Sequence, residues 1–164
     1  MLQRDAAIVY AVDVGRGQLA WRIRQDPRVV VLERTNVRTL DAEQLGVAVD
    51  VVVADLSFIS LRVVARALLA CATAEADFVL LVKPQFEAGP ARVGRGGIVR
   101  DPEVHAAVLT EVTAGLAGEG LIVTDVVVSP LRGAEGNREF FVRADRRGPA
   151  IDADRLAAAA QDDS

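Results

Sequence analysis

The chain has 164 residues, enough for one domain with its own core. Hydrophobic residues make up 51% and the net charge is -4, which excludes nucleic-acid binding through bulk positive charge and leaves open a local arginine face. A single cysteine and a single histidine exclude a disulfide framework and a metal cluster, and no apolar run approaches the ~20 residues of a membrane span. The N-terminus is not a signal peptide, because the apolar run after Asp5 is broken at Asp13, so a cytoplasmic protein is expected.

Ala7 to Val12 reads as a strand ending at Asp13, and Gly15 turns the chain into a helix from Gln18 to Gln25. Val29 to Leu32 is a second strand, followed by a short helix from about Leu40 to Leu45. Val49 to Ala54 is a third strand, closed by Asp55. Ser60 can cap a helix from Leu61 to Ala72, with Val64, Leu68 and Cys71 on one face. Phe78 to Val82 is a fourth strand, and Pro84 stops it after Lys83. A glycine-rich, arginine-bearing loop covers Glu87 to Gly97. Asp101-Pro102 opens a helix to about Leu116, with His105 incidental inside it. Leu121 to Val128 and Glu139 to Ala144 are the last strands, and the alanine-rich stretch 152–161 is a frayed helix. The alternation predicts an α/β sheet with helices on both faces, and the last two strands, with no helix between them, allow an antiparallel pair.

Lys83 is the only lysine beside 18 arginines. Arginine keeps its proton at any working pH, whereas a lysine amine can be tuned toward neutrality and act as a base. Lys83 follows a buried-strand pattern, at the sheet edge where open α/β folds place ligands. Asp55 closes the preceding strand, and Glu139 begins the last one. If that strand runs antiparallel, Asp55, Lys83 and Glu139 converge within ion-pair reach. Two carboxylates would keep the ammonium charged and a cationic ligand would lower its pKa again, an arrangement suited to taking a proton from an alcohol.

Asp13 is placed to accept hydrogen bonds from the ribose hydroxyls of an adenosine, or else to cap the following turn. Asn36, after the next strand, can meet the adenine edge. Arg34 and Arg38 flank it, and Arg92, Arg95 and Arg100 lie in or beside the glycine-rich loop. They form either a phosphate-contacting rim or a solvated surface. Phe58 either stacks on an unstacked base or packs under the next helix.

Five segments in order, Tyr10 to Trp21, Glu33 to Arg38, Asp55 to Ser60, Val82 to Glu87 and Gly133 to Phe140, resemble the TlyA (hemolysin A) family of FtsJ-like ribosomal RNA methyltransferases. The resemblance covers about residues 2–147. It implies a Rossmann-like, S-adenosylmethionine-dependent fold with a mostly parallel sheet and an antiparallel last strand. The implied activity is 2'-O-methylation of cytidine in 16S and 23S ribosomal RNA of the ribosomal subunits, with no metal and no membrane. Of the family's Lys-Asp-Lys-Glu set, Asp55, Lys83 and Glu139 match three members; Asp13 matches the ribose-binding acid and Asn36 the residue near adenine, with Asp55 also facing the cofactor. The family's S4-like domain, first strand, glycine-rich cofactor loop and first catalytic lysine have no counterpart in the 164 residues. Residues 1–147 are therefore expected to form a partial methyltransferase domain and 148–164 a tail. The absent strand would leave a gap of roughly 9–10 Å at ordinary strand spacing, so the 164 residues are expected to be marginally folded or prone to aggregate, with little or no S-adenosylmethionine affinity. Two other readings are an inactive remnant serving as an RNA-binding module, which the missing loop and lysine favour, and a cytolysin, which lacks any lytic amphipathic segment.

Overall fold

The computed structural model describes residues 1–162. Strands β1 (Val9–Asp13) and β2 (Val29–Glu33) pair in parallel, with Asp13 opposite Glu33. Helix α1 between them is one turn, Trp21–Arg24, shorter than the apolar pattern predicts. Gly17, at φ 72, turns its amide onto the Glu33 carboxylate instead of into a helix. A 3-10 turn at Val37–Thr39 is capped by the Asn36 side chain, and α2 (Ala42–Leu45) by Asp41.

The second sheet has the order β3-β4-β6-β5, with β3 Val49–Ala54, β4 Ala72–Val82, β5 Ile122–Val128 and β6 Phe140–Asp145. β3 and β4 are parallel, and β6 is antiparallel to both β4 and β5. The expected antiparallel last strand is therefore present, inserted between β4 and β5. Helix α3 (Leu61–Ala70) leads into β4, which is longer than the apolar run suggests because Ala72 to Asp77 also belong to it. Cys71 caps α3, is buried, and its thiol pKa is raised by burial. Pro84 ends β4 by opening a single turn, α4 (Pro84–Glu87), for which Lys83 is the N-cap.

Helix α5 (Pro102–Gly118) crosses the same sheet face as α3. Phe78, Leu80 and Val82 of β4, with Phe140 and Val142 of β6, pack against Val64 and Leu68 of α3 and Val108, Val112 and Leu116 of α5. Each large apolar side chain buried here stabilises the fold by about 1.5–3 kcal/mol. The tail also contributes: α6 (Ala153–Gln161) buries Leu156 and Ala160 in this core, and its alanines let it lie close to α5 and β5.

Two features differ from the sequence reading. Helices cover one face of the four-stranded sheet rather than both, because α1 and α2 are single turns; Val51, Val53 and Val127 remain exposed. The strands form two sheets, with no ladder between β1 and β3 among the described residues. The β1–β2 unit joins the core through the 3-10 turn at Val37–Thr39, which lies against α3 with Val37 packed on the core, and its own strands contain no buried residue.

Candidate active site

β3 and β4 run parallel and end at the same sheet edge, so Asp55 and Lys83, each the first residue beyond its strand, emerge there together. Lys83 Nζ lies 2.5 Å from Asp55 Oδ1 and 3.4 Å from Ser57 Oγ. The lysine side chain is 13% exposed and the aspartate 65%, so the ammonium is covered while its partner opens to solvent. An ion pair this accessible is worth roughly 0–1 kcal/mol, too little to be explained by stability.

Val82 pairs with Phe140, so Lys83 and Glu139 are the next residues on neighbouring antiparallel strands. Glu139 thus reaches the expected edge and is buried there. Its Oε1 accepts a hydrogen bond from Gln85 Nε2 at 3.0 Å. No ion pair within 4.0 Å joins Glu139 to Lys83 among the described residues; the tight contact is the Lys83–Asp55 pair alone. Gly133 backs the Glu139 carboxylate so closely that a Cβ there would overlap it. Neither Gln85 nor Gly133 was singled out from the sequence, although Gln85 lies in the same Lys-Pro-Gln-Phe run as Lys83.

The two loops carrying these groups are fastened together by Glu87. Its buried carboxylate accepts from Ser60 Oγ and Leu61 N, both at 2.6 Å, and lies 3.4 Å from Arg62 Nε. The loop 55–60 is therefore fixed to α4. Phe58 projects from it 90% exposed at φ 63, with its ring 4.9 Å from that of Phe86. It does not pack under α3. A left-handed backbone at a bulky residue costs about 1–3 kcal/mol, and here it holds an aromatic ring in solvent.

Arg92 is committed to structure: both terminal nitrogens bond Glu111, at 2.7 and 2.8 Å, and Nε bonds the Ala88 carbonyl. Arg95 and Arg100 are exposed on the glycine-rich loop. Asn137 ties that loop down, accepting from Val99 N and donating to the Gly97 carbonyl.

At the other sheet, Asp13 is exposed at the end of β1, with Oδ1 accepting from Gly15 N at 2.6 Å. Glu33, not singled out from the sequence, accepts from Gly17 N and Arg24. Arg34, at φ 55, and Arg38 are exposed. Asn36 accepts from Arg38 N and lines a cavity of about 280 Å³ with Leu32, Arg34, Thr35 and Leu40. That size lies just under the usual ~300–1,000 Å³ of small-molecule sites. Among the described residues no group of side chains could hold a metal ion, and no helix is long and apolar enough to cross a membrane.

The chain is 54% identical over 142 residues to the 16S/23S rRNA (cytidine-2'-O)-methyltransferase TlyA of Mycobacterium tuberculosis, an alignment covering 87% of this chain and 53% of that protein. It thus spans about half the length of this curated relative. A structure from Lactococcus lactis, described as a candidate hemolysin, superposes with a TM-score of 0.90 at 38% identity, covering 98% of this chain and 78% of that one. A TehB-like S-adenosylmethionine-dependent methyltransferase from Corynebacterium glutamicum shares the fold, at 9% identity and a TM-score of 0.58 over 89% of this chain and 72% of that one. Residues 1–146 match the FtsJ-like methyltransferase family, and by this span and the 54% identity the chain belongs to that family.

Proposed function

We propose that the chain carries out S-adenosylmethionine-dependent 2'-O-methylation of cytidine in ribosomal RNA, acting on the 16S and 23S RNAs of the ribosomal subunits in the cytoplasm. The observation that carries this reading is the lone lysine, covered and paired with Asp55 at 2.5 Å, on a sheet edge shared with Glu139. When bound, S-adenosylmethionine supplies an electrophilic methyl group on a positively charged sulfur. Asp13, whose exposed carboxylate is engaged on one oxygen by Gly15, would hold its ribose, and Asn36 in the adjoining cavity its adenine. These open, polar, strand-end groups fit an adenosine.

With Lys83 as the neutral amine, its own proton released to solvent beforehand, Nζ takes the 2'-hydroxyl proton as the oxygen takes the methyl, and the electrons of the broken carbon–sulfur bond stay on the departing sulfur. Asp55 fixes the direction of the amine. Glu139, held by Gln85 one strand away, supplies a second carboxylate that orients the amine or the hydroxyl. Phe58 and Phe86 offer stacking faces for the extruded base, worth ~1–3 kcal/mol per base. Arg34, Arg38, Arg95 and Arg100 contact phosphates, whereas Arg92 serves the fold through Glu111. The test is incubation with unmodified ribosomal subunits and S-adenosylmethionine, followed by nucleoside analysis of the RNA. The expected product is 2'-O-methylcytidine; methylation on a base, or none in either RNA, would overturn the reading.

A further inference from the structure

Beside the active-site edge lies a second cavity, of about 180 Å³, lined by Arg100, Pro102, His105, Arg132, Glu135 and Arg138 among others. Its wall is built by Ile98 to Arg100 just after the glycine-rich loop, by the start of α5, and by the 132–138 loop that leads into Glu139. Three arginines and one glutamate, Glu135, are among its lining residues. Arg100 and Arg132 are exposed at the rim, whereas Arg138 is buried and donates to the Ala160 carbonyl at the base of the wall. The N-terminus of the 17-residue α5 adds the positive end of its dipole.

His105, incidental in the sequence reading, is only 3% exposed. Its Nε2 lies 3.0 Å from the Val99 carbonyl, so that nitrogen carries the proton. Its Nδ1 is buried with no hydrogen-bond partner among the described residues. Burial is the main cause lowering the imidazole pKa, with Arg138 and Arg132 adding to it and Asp101 and the Val99 carbonyl opposing. A negative group in the cavity opposes that shift: it offsets the two arginines that disfavour the imidazolium, so the ring takes a second proton more readily.

We propose that this cavity is a subsite for a backbone phosphate of the RNA strand, gripped by Arg100 and Arg132 over Arg138 and His105. The proposal rests on the RNA-substrate reading above and adds the place where the strand is held next to Glu139. The volume suits a phosphate with a few waters, at about 30 Å³ per water, and falls short of a whole nucleotide. The cavity shares no lining residue with the one at Asn36 where the cofactor is proposed to bind, and S-adenosylmethionine carries no phosphate.

Because His105 is the only histidine, its imidazole resonances in isotope-labelled protein report on this cavity alone. Titration with an oligocytidine ribonucleotide should shift them and raise the midpoint of the ring's titration. Arg100→Ala with Arg132→Ala should remove the shift, weaken oligonucleotide binding at least tenfold, and flatten its salt dependence by one to two in slope. A control pair, Arg22→Ala with Arg66→Ala, removes equal charge from exposed positions elsewhere and should leave the shift intact. An unmoved His105 resonance at saturating oligonucleotide, or equal losses in both double variants, would overturn the proposal. So would a shift given by inorganic phosphate and not by the oligonucleotide, which would assign the cavity to a free anion. Methyl transfer is measured separately: its failure with the His105 shift present refutes the enzyme reading, and its success without the shift refutes only the subsite.

Discussion

Lys83 and Asp55 form an asymmetric pair, one side chain covered and the other open. Lys83 was legible because composition marks it: a chain that otherwise uses only arginine keeps one titratable amine at a strand end. Glu139 was legible as a strand start, but its immediate partner was not. Gln85 reaches it only because Pro84 opens a helical turn instead of merely ending the strand. Gly133 was equally hidden, since its need for a bare Cα depends on a carboxylate six residues away. Gly133→Ala should push the Glu139 side chain off its Gln85 contact at an overpacking cost of about 1–3 kcal/mol. Thermal unfolding should show the loss, and methyl transfer should fall while cofactor binding is retained. Unchanged stability and activity would mean that the carboxylate shifts freely.

The element that frames the site is the short α4, tied to the start of α3 by Glu87. Apolar periodicity showed α3 and α5 because each presents a long face to the sheet. It could not show a one-turn helix, nor the polar start of β4, whose Asp77 pairs with Arg143 on the neighbouring strand. Glu87→Ala leaves the buried Leu61 amide without an acceptor, a penalty of about 1–3 kcal/mol. Urea unfolding should register that loss, and the released 55–60 loop should lower activity further; a midpoint equal to wild type would contradict the fastening role. Within α5, His105 should titrate below its usual 6.5 when free of ligand, because its charged form is disfavoured in the fold. The unfolded chain then binds the proton more readily, so stability should fall as pH drops through 6.5 toward the folded value. An NMR titration midpoint at or above 6.5 would contradict that assignment.

For the whole molecule, the alternation of strands and helices correctly predicted the α/β class and the antiparallel final strand. It overpredicted helix cover, because α1 and α2 look longer in apolar pattern than their glycines and caps allow. The two sheets also differ in how they are supported. β1 and β2 have no buried residues, and Trp21 beside them is 71% exposed, whereas β4 and β6 run through the core. Amide exchange should therefore be fast in β1 and β2 and slow in β4 and β6, and the single tryptophan should fluoresce as in water. Uniform protection would show that the first sheet is supported as firmly as the second. Because Asp13 and Asn36, the residues proposed to hold S-adenosylmethionine, belong to this weakly supported unit, the cofactor should bind weakly to the 164-residue chain. The most direct test of the catalytic assignment is accordingly made at saturating S-adenosylmethionine, comparing wild type with Lys83→Arg for 2'-O-methylcytidine formed in ribosomal RNA and for cofactor affinity. Methylation by the wild type and none by the variant, at equal cofactor affinity, is expected, because arginine keeps the charge and loses the titratable amine. Substantial methylation by Lys83→Arg would contradict it and make Lys83 a charge rather than a base.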